Sequence, residues 1–264
     1  MAVPDGREQP ETLAEVLVAM QARLDALGPS HEPLRAFLDT YRRTTIAVQS
    51  AIDSRRFEDP TWVEDWDVAF AQLYLNALDA ELSGTPDVPR PWRLAFDAPP
   101  TLQPLRYVLL GINAHINFDL PQALLAVIPD SDFADPRILN RRQADHERID
   151  AVLSARVADE DNELESTSHV TLLDRFLRPA NRLASRRFLR EARRKVWHNT
   201  MELQKARVAG PDDYATRLGE LEVLSAAKIA DLLAPGQVLL RLAVTGFGIT
   251  LPPPLPSPMH PGSV

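Results

Sequence analysis

The chain has 264 residues, a formal net charge of −8, no cysteine, 10 glycines and 23 prolines. The absence of cysteine excludes a disulfide scaffold, a thiol nucleophile, thiolate zinc sites and iron–sulfur clusters. Glycine is scarce, neither G-x-G-x-x-G nor G-x-x-x-x-G-K-[ST] occurs, and the acidic balance opposes general nucleic-acid binding.

Residues 1–12 are polar and acidic, with no apolar stretch ahead of a cleavage site. No run approaches the roughly 18 apolar residues of a membrane helix. The expectation is a cytoplasmic protein without membrane insertion. From Thr12 to Leu27, Leu13, Val16, Leu17, Met20, Leu24 and Leu27 recur at helical spacing. Gly28-Pro29-Ser30 stops that helix, and a second runs from about His31 to Arg55 with Leu34, Phe37, Leu38 and Tyr41 on its apolar face. Asp59 or Thr61 is placed to cap a third helix ending near Leu82, whose inner face holds Trp62, Trp66, Phe70, Leu73 and Ala77.

Residues 83–101 are rich in proline and read as a loop with one short turn near Trp92–Phe96. A strong helix covers Leu102–Leu120 and is broken or kinked at Pro121. Further helices are expected at Asp135–Val157, at His169–Arg207 with a kink at Pro179, at Asp212–Leu233 and at Gln237–Val244. Asp159–Ser168 is an acidic stretch, and Thr250–Val264 is a proline-rich tail expected to be extended and mobile. No period-2 strand appears. The prediction is an all-α, bundle-like single domain of about eight helices over residues 1–249, with no sheet, followed by the 250–264 tail.

Chemistry concentrates between Leu109 and Pro121. His115 follows Ile112 by three residues and precedes Asp119 by four, so both lie on or beside the apolar stripe, one turn apart. A carboxylate in such a place needs a partner, and His115 is within reach. The pair can bind a divalent metal, or Asp119 can orient the imidazole as a base. Asp67, beside the buried face of the third helix, is the candidate third metal ligand. Trp62, Phe70, Tyr74 and Asn113 are candidate ligand-binding residues, Tyr74 because its hydroxyl can donate within a pocket. His146 and His169 sit in polar surroundings and are expected to be exposed.

The segment Gly-Ile-Asn-Ala-His-Ile-Asn-x-Asp-Leu-Pro resembles the signature of a family of uncharacterised all-helical proteins found mainly in actinobacteria. The preceding Phe57-x-Asp59-Pro60-x-Trp62 turn, Phe70 with Tyr74, Trp92 with Phe96, and the later Trp197-His198-Asn199 fit the same pattern. The resemblance spans roughly residues 35–205 and implies a shared fold and a shared site at His115 and Asp119. The His-x3-Asp spacing also bears a distant likeness to the helical zinc-dependent phospholipase C and single-strand nuclease group. There the next His ligand is missing, since positions 123–125 read Ala-Leu-Leu.

A basic stripe, Arg175, Arg178, Arg182, Arg186, Arg190 and Arg193/Arg194, steps along one helix face. Its expected partner is the protein's own acidic segment at 130–165, and no nucleic acid is expected to bind. The function read from these residues is an enzyme acting on a small organic molecule through a buried His–Asp site, general-base or metal-assisted, of hydrolase or lyase type. The alternative is a non-catalytic helical module that binds an apolar ligand or a protein partner.

Overall fold

The computed structural model describes residues 9–28, 31–163 and 182–254. The fold is all-α, with no strand among the described residues. Helix α1 (Leu13–Ala26) opens on a capping box: the Glu15 amide donates to Thr12 Oγ1 at 3.2 Å, and the Thr12 amide donates to the Glu15 carboxylate. Helix α2 (Glu32–Asp53) begins with Pro33 in its first turn, where a missing N–H costs nothing. Helix α3 (Pro60–Leu82) is capped by Asp59, which accepts from the Trp62 amide at 3.2 Å. These helices pack together and bury Leu13, Val16, Met20, Phe37, Leu38, Tyr41, Trp66, Phe70 and Tyr74 in one core.

The loop expected at 83–101 contains a helix, α4 (Arg90–Phe96), which buries Trp92 completely. Helix α5 (Pro104–Ala114) leads into a π turn (His115–Asp119), and α6 (Leu120–Val127) continues directly from it. The helix expected to be broken or kinked at Pro121 is not broken there. In an α register the proline ring would strike the carbonyl of Asn117. The wider π turn, in which the Leu120 amide reaches back to the His115 carbonyl, relieves that conflict.

A short helix α7 (Asp130–Ala134) precedes α8 (Pro136–Glu163), which extends past the expected end at Val157 into the acidic stretch. Then come α9 (Arg182–Ala209), α10 (Pro211–Leu233) and α11 (Val238–Thr245). The expected kink at Pro179, together with Arg175, Arg178 and His169, lies outside the described residues.

After α11 the chain turns at Gly246 (φ 74°) and lies extended against α9 as a strap. A side chain at Gly246 would also press to 2.8 Å from the Glu191 carboxylate. The tail expected to begin at Thr250 does not detach there, because Leu251 is buried against Phe118, Leu125, Leu203 and Leu221. Residues 255–264 lie outside the described residues. No described helix is long and apolar enough to cross a membrane.

Candidate active site

The centre of the site is made by α5 and the π turn meeting α2, α3 and α4. Gly111 permits the approach: a Cβ there would lie 2.4 Å from the Phe37 ring of α2. One turn later His115 is 3% exposed, and Asp119 is 2% exposed. His115 Nδ1 and Asp119 Oδ2 lie 2.8 Å apart, and the Trp92 indole N–H donates to the same oxygen at 2.8 Å. His115 Nε2 is buried and has no hydrogen-bond partner.

The aromatic side chains close round the imidazole itself. Phe70 stacks on it, with ring centroids 3.5 Å apart and planes 5° from parallel. Tyr41 meets it edge-on at 4.5 Å, and Phe37, Tyr74 and Trp92 surround it at 5.8 to 6.0 Å. Burial holds the His115 pKa well below its usual value, so the ring is neutral. Burial pushes the Asp119 carboxyl well up, and the Trp92 bond opposes that shift.

Phe70 and Tyr74, of the residues singled out in the sequence, thus lie against the His115 ring. The Tyr74 hydroxyl is buried without a partner, and its pKa is raised by burial. Trp62 lies elsewhere, beside Trp66 and beneath the Arg142 guanidinium at 4.9 Å. Asn113 is occupied structurally: it donates to the Leu109 carbonyl at 2.8 Å and accepts from Asn117 at 3.3 Å. Asp67 is buried, with its pKa raised by burial to about 7. Among the described residues, however, no three His, Asp or Glu side chains assemble as a metal-binding group. The set His115, Asp119 and Asp67 is therefore not brought together.

His146 corrects the reading of an exposed residue: it is fully buried. Its neighbour Asp145 is buried too, accepting the Glu58 and Asp59 amides at 2.9 and 2.8 Å and so fixing the turn ahead of α3. Of the basic stripe, Arg193 pairs with Asp150, within the acidic 130–165 segment, at 2.5 Å, whereas Arg190 and Arg194 are exposed. Farther along α9, Arg207 pairs with Asp130 at 2.8 Å.

Sequence reasoning missed Tyr41 and Phe37 as walls of the site, Trp92 as the donor to Asp119, and the roles of Asn117 and Asn199. Asn117, in the π turn, donates to the Phe247 carbonyl at 3.2 Å and accepts from the Ile249 amide at 3.1 Å. Asn199, on α9, donates to the Ile249 carbonyl at 3.1 Å and accepts from the Leu251 amide at 2.9 Å. The two side-chain amides continue one ladder along the strap, as a neighbouring strand would. Lys195 adds a bond to the Gly248 carbonyl at 2.9 Å. Asn117 lies between His115 and Asp119, so the strap is tied to the segment that sets their geometry.

The fold and the centre define an all-helical protein built around a buried, aromatic-walled His–Asp pair. Residues 13–235 match a family of unknown function (DUF5995), and the chain belongs to that family. No match was found among curated proteins or solved structures.

Proposed function

We propose that the protein is an enzyme acting on a small organic molecule, with His115 as general base and Asp119 as the residue that orients it. The observation carrying this reading is the asymmetry of the imidazole: one nitrogen is fixed by Asp119, and the other is buried without a partner. Trp92 also donates to Asp119 Oδ2, which favours the carboxylate form against the burial that raises its pKa; with that form the proton of the pair lies on His115 Nδ1. Nε2 is then left with its lone pair in a water-poor setting, able to take a proton from a bound hydroxyl, water or carbon acid.

The general-base form is favoured over a metal-assisted one because, among the described residues, no three His, Asp or Glu side chains assemble to share an ion with Nε2. A substrate reaches Nε2 only if one of the covering aromatic side chains moves. The reactions that suit this base are hydrolysis and elimination. The test is turnover of a panel of small esters, lactones, amides and β-substituted acids by wild type and His115→Gln. Loss of the base is expected to lower kcat roughly 10²–10⁴-fold. Equal turnover by the two proteins, or none by either, overturns the reading.

A further inference from the structure

A second set of unpartnered polar atoms lies inside the bundle, on α3, α8 and α9. His146 of α8 is 0% exposed, and neither ring nitrogen has a hydrogen-bond partner. Its ring sits with Trp66 of α3 at 6.3 Å and with Trp197 of α9 at 5.7 Å. Arg193 of α9 is 6% exposed; its Nε donates to Asp150 at 2.5 Å, whereas its Nη1 is buried and unpaired. Asp67 Oδ2 and Trp66 Nε1 on α3 are likewise buried and unpaired. Asp150, which holds Arg193, lies one turn from His146 on α8, and Trp197, against the His146 ring, lies one turn from Arg193 on α9, so the two helices bring Arg193 and His146 to one face; the charge of Arg193 is also felt by Asp67.

A buried donor or acceptor left unmade is expensive, and several in one place call for a polar guest. Their chemistry defines it. Arg193 Nη1–H, Trp66 Nε1–H and one N–H of neutral His146 are donors, so the unmet need is for acceptor oxygens beside a positive charge. Asp67 in its protonated form adds a further donor toward such a group. The indoles of Trp66 and Trp197 suit a short apolar tail. A carboxylate with a small hydrocarbon part meets these demands together, its oxygens facing the guanidinium.

We propose that Arg193, Trp66, His146 and Asp67 form a buried binding site for a small monocarboxylate, distinct from the His115 centre. The probe is sodium acetate, with propionate as the longer homologue, against sodium chloride at equal ionic strength. Binding to the full chain is read by isothermal calorimetry and by melting temperature. Acetate is expected to bind saturably and raise the melting temperature, where chloride does not. Arg193→Gln, with its helix content checked by circular dichroism, is expected to weaken acetate roughly tenfold or more, the loss of one charge-assisted bond.

Trp66→Phe keeps the ring and removes only the N–H, so it tests the site if Arg193→Gln does not fold; a several-fold weakening is expected. Asp67→Asn retains a donor and should retain binding. His115→Gln should bind acetate as wild type does, which separates this site from the proposed catalytic centre. The proposal is overturned if neither carboxylate binds, so that water alone fills the site. It is equally overturned if Trp66→Phe and a folded Arg193→Gln bind undiminished, or if His115→Gln abolishes binding.

Discussion

Asp119 Oδ2 stands 2.8 Å from both His115 Nδ1 and Trp92 Nε1, joining the π turn to α4 through one oxygen. The indole N–H is the interaction that favours a charged carboxylate in this setting, against the burial that opposes it. Trp92→Phe keeps the ring packing and removes the donor. It is expected to destabilise the protein by about 1–3 kcal/mol, read by urea denaturation. A change below a few tenths would show that this bond does not hold Asp119.

Gly111 and Phe37 give a second test. Alanine is the better helix former, by roughly 1 kcal/mol over glycine. Yet a Cβ at Gly111 would sit 2.4 Å from the Phe37 ring, and α2 carries both Phe37 and Tyr41. Gly111→Ala is expected to destabilise by about 1–3 kcal/mol through overpacking. Adding Phe37→Leu should recover most of the loss in a double-mutant cycle. Additive effects in that cycle would place the clash elsewhere.

The strap depends on two side chains that could be mistaken for surface asparagines. Asn117→Ala removes the partners of the Phe247 carbonyl and the Ile249 amide together. Hydrogen exchange at Ile249 is expected to accelerate strongly, while amides of α1 keep their protection. Asn199→Ala should do the same for Leu251, whose amide donates to Asn199 at 2.9 Å. Unchanged exchange at both positions would mean that packing of Phe247 and Leu251 alone secures the strap.

Asp67 sets a pH dependence. Its pKa rises on folding from 3.8 to about 7, so its neutral form is the one the fold prefers. That contribution is complete below pH 3.8 and is lost as pH rises to about 7. Asp67→Asn is therefore expected to match wild type near pH 4 and to exceed it by about 2–4 kcal/mol at pH 8. Burial of neutral His115 and His146 weakens both proteins on acidification below about pH 6.5 and cancels in the comparison. A constant difference across the range would contradict the shift.

The helices were legible because their apolar residues recur at three and four, and the cap of α3 was narrowed to Asp59 or Thr61, of which Asp59 is used. The His115–Asp119 pair was legible from spacing alone, since a buried carboxylate must find a partner. Pro121 was legible as a disturbance of the helix, but not as one met by a π turn, which has no periodicity of its own to announce it. His146 was misread from its polar sequence neighbours, although Ile149 and Val152 put it on the inner face of α8 by spacing. Trp92 could not be assigned to Asp119, because α4 reaches it only through the tertiary fold. The strap was invisible for the same reason: Phe247, Ile249 and Leu251 show strand-like alternation, but their partners are side chains far off in sequence.

The central claim is that His115 is a neutral imidazole protonated on Nδ1, with Nε2 holding a free lone pair. Nitrogen-15 NMR of the histidine-labelled protein, assigned with His115→Gln, reads this directly between pH 5.5 and 8. The account predicts that His115 does not titrate in this range, that Nδ1 carries a proton and that Nε2 shows the shift of an unprotonated nitrogen. Titration near the ordinary value of 6.5, or a proton on Nε2, would contradict it.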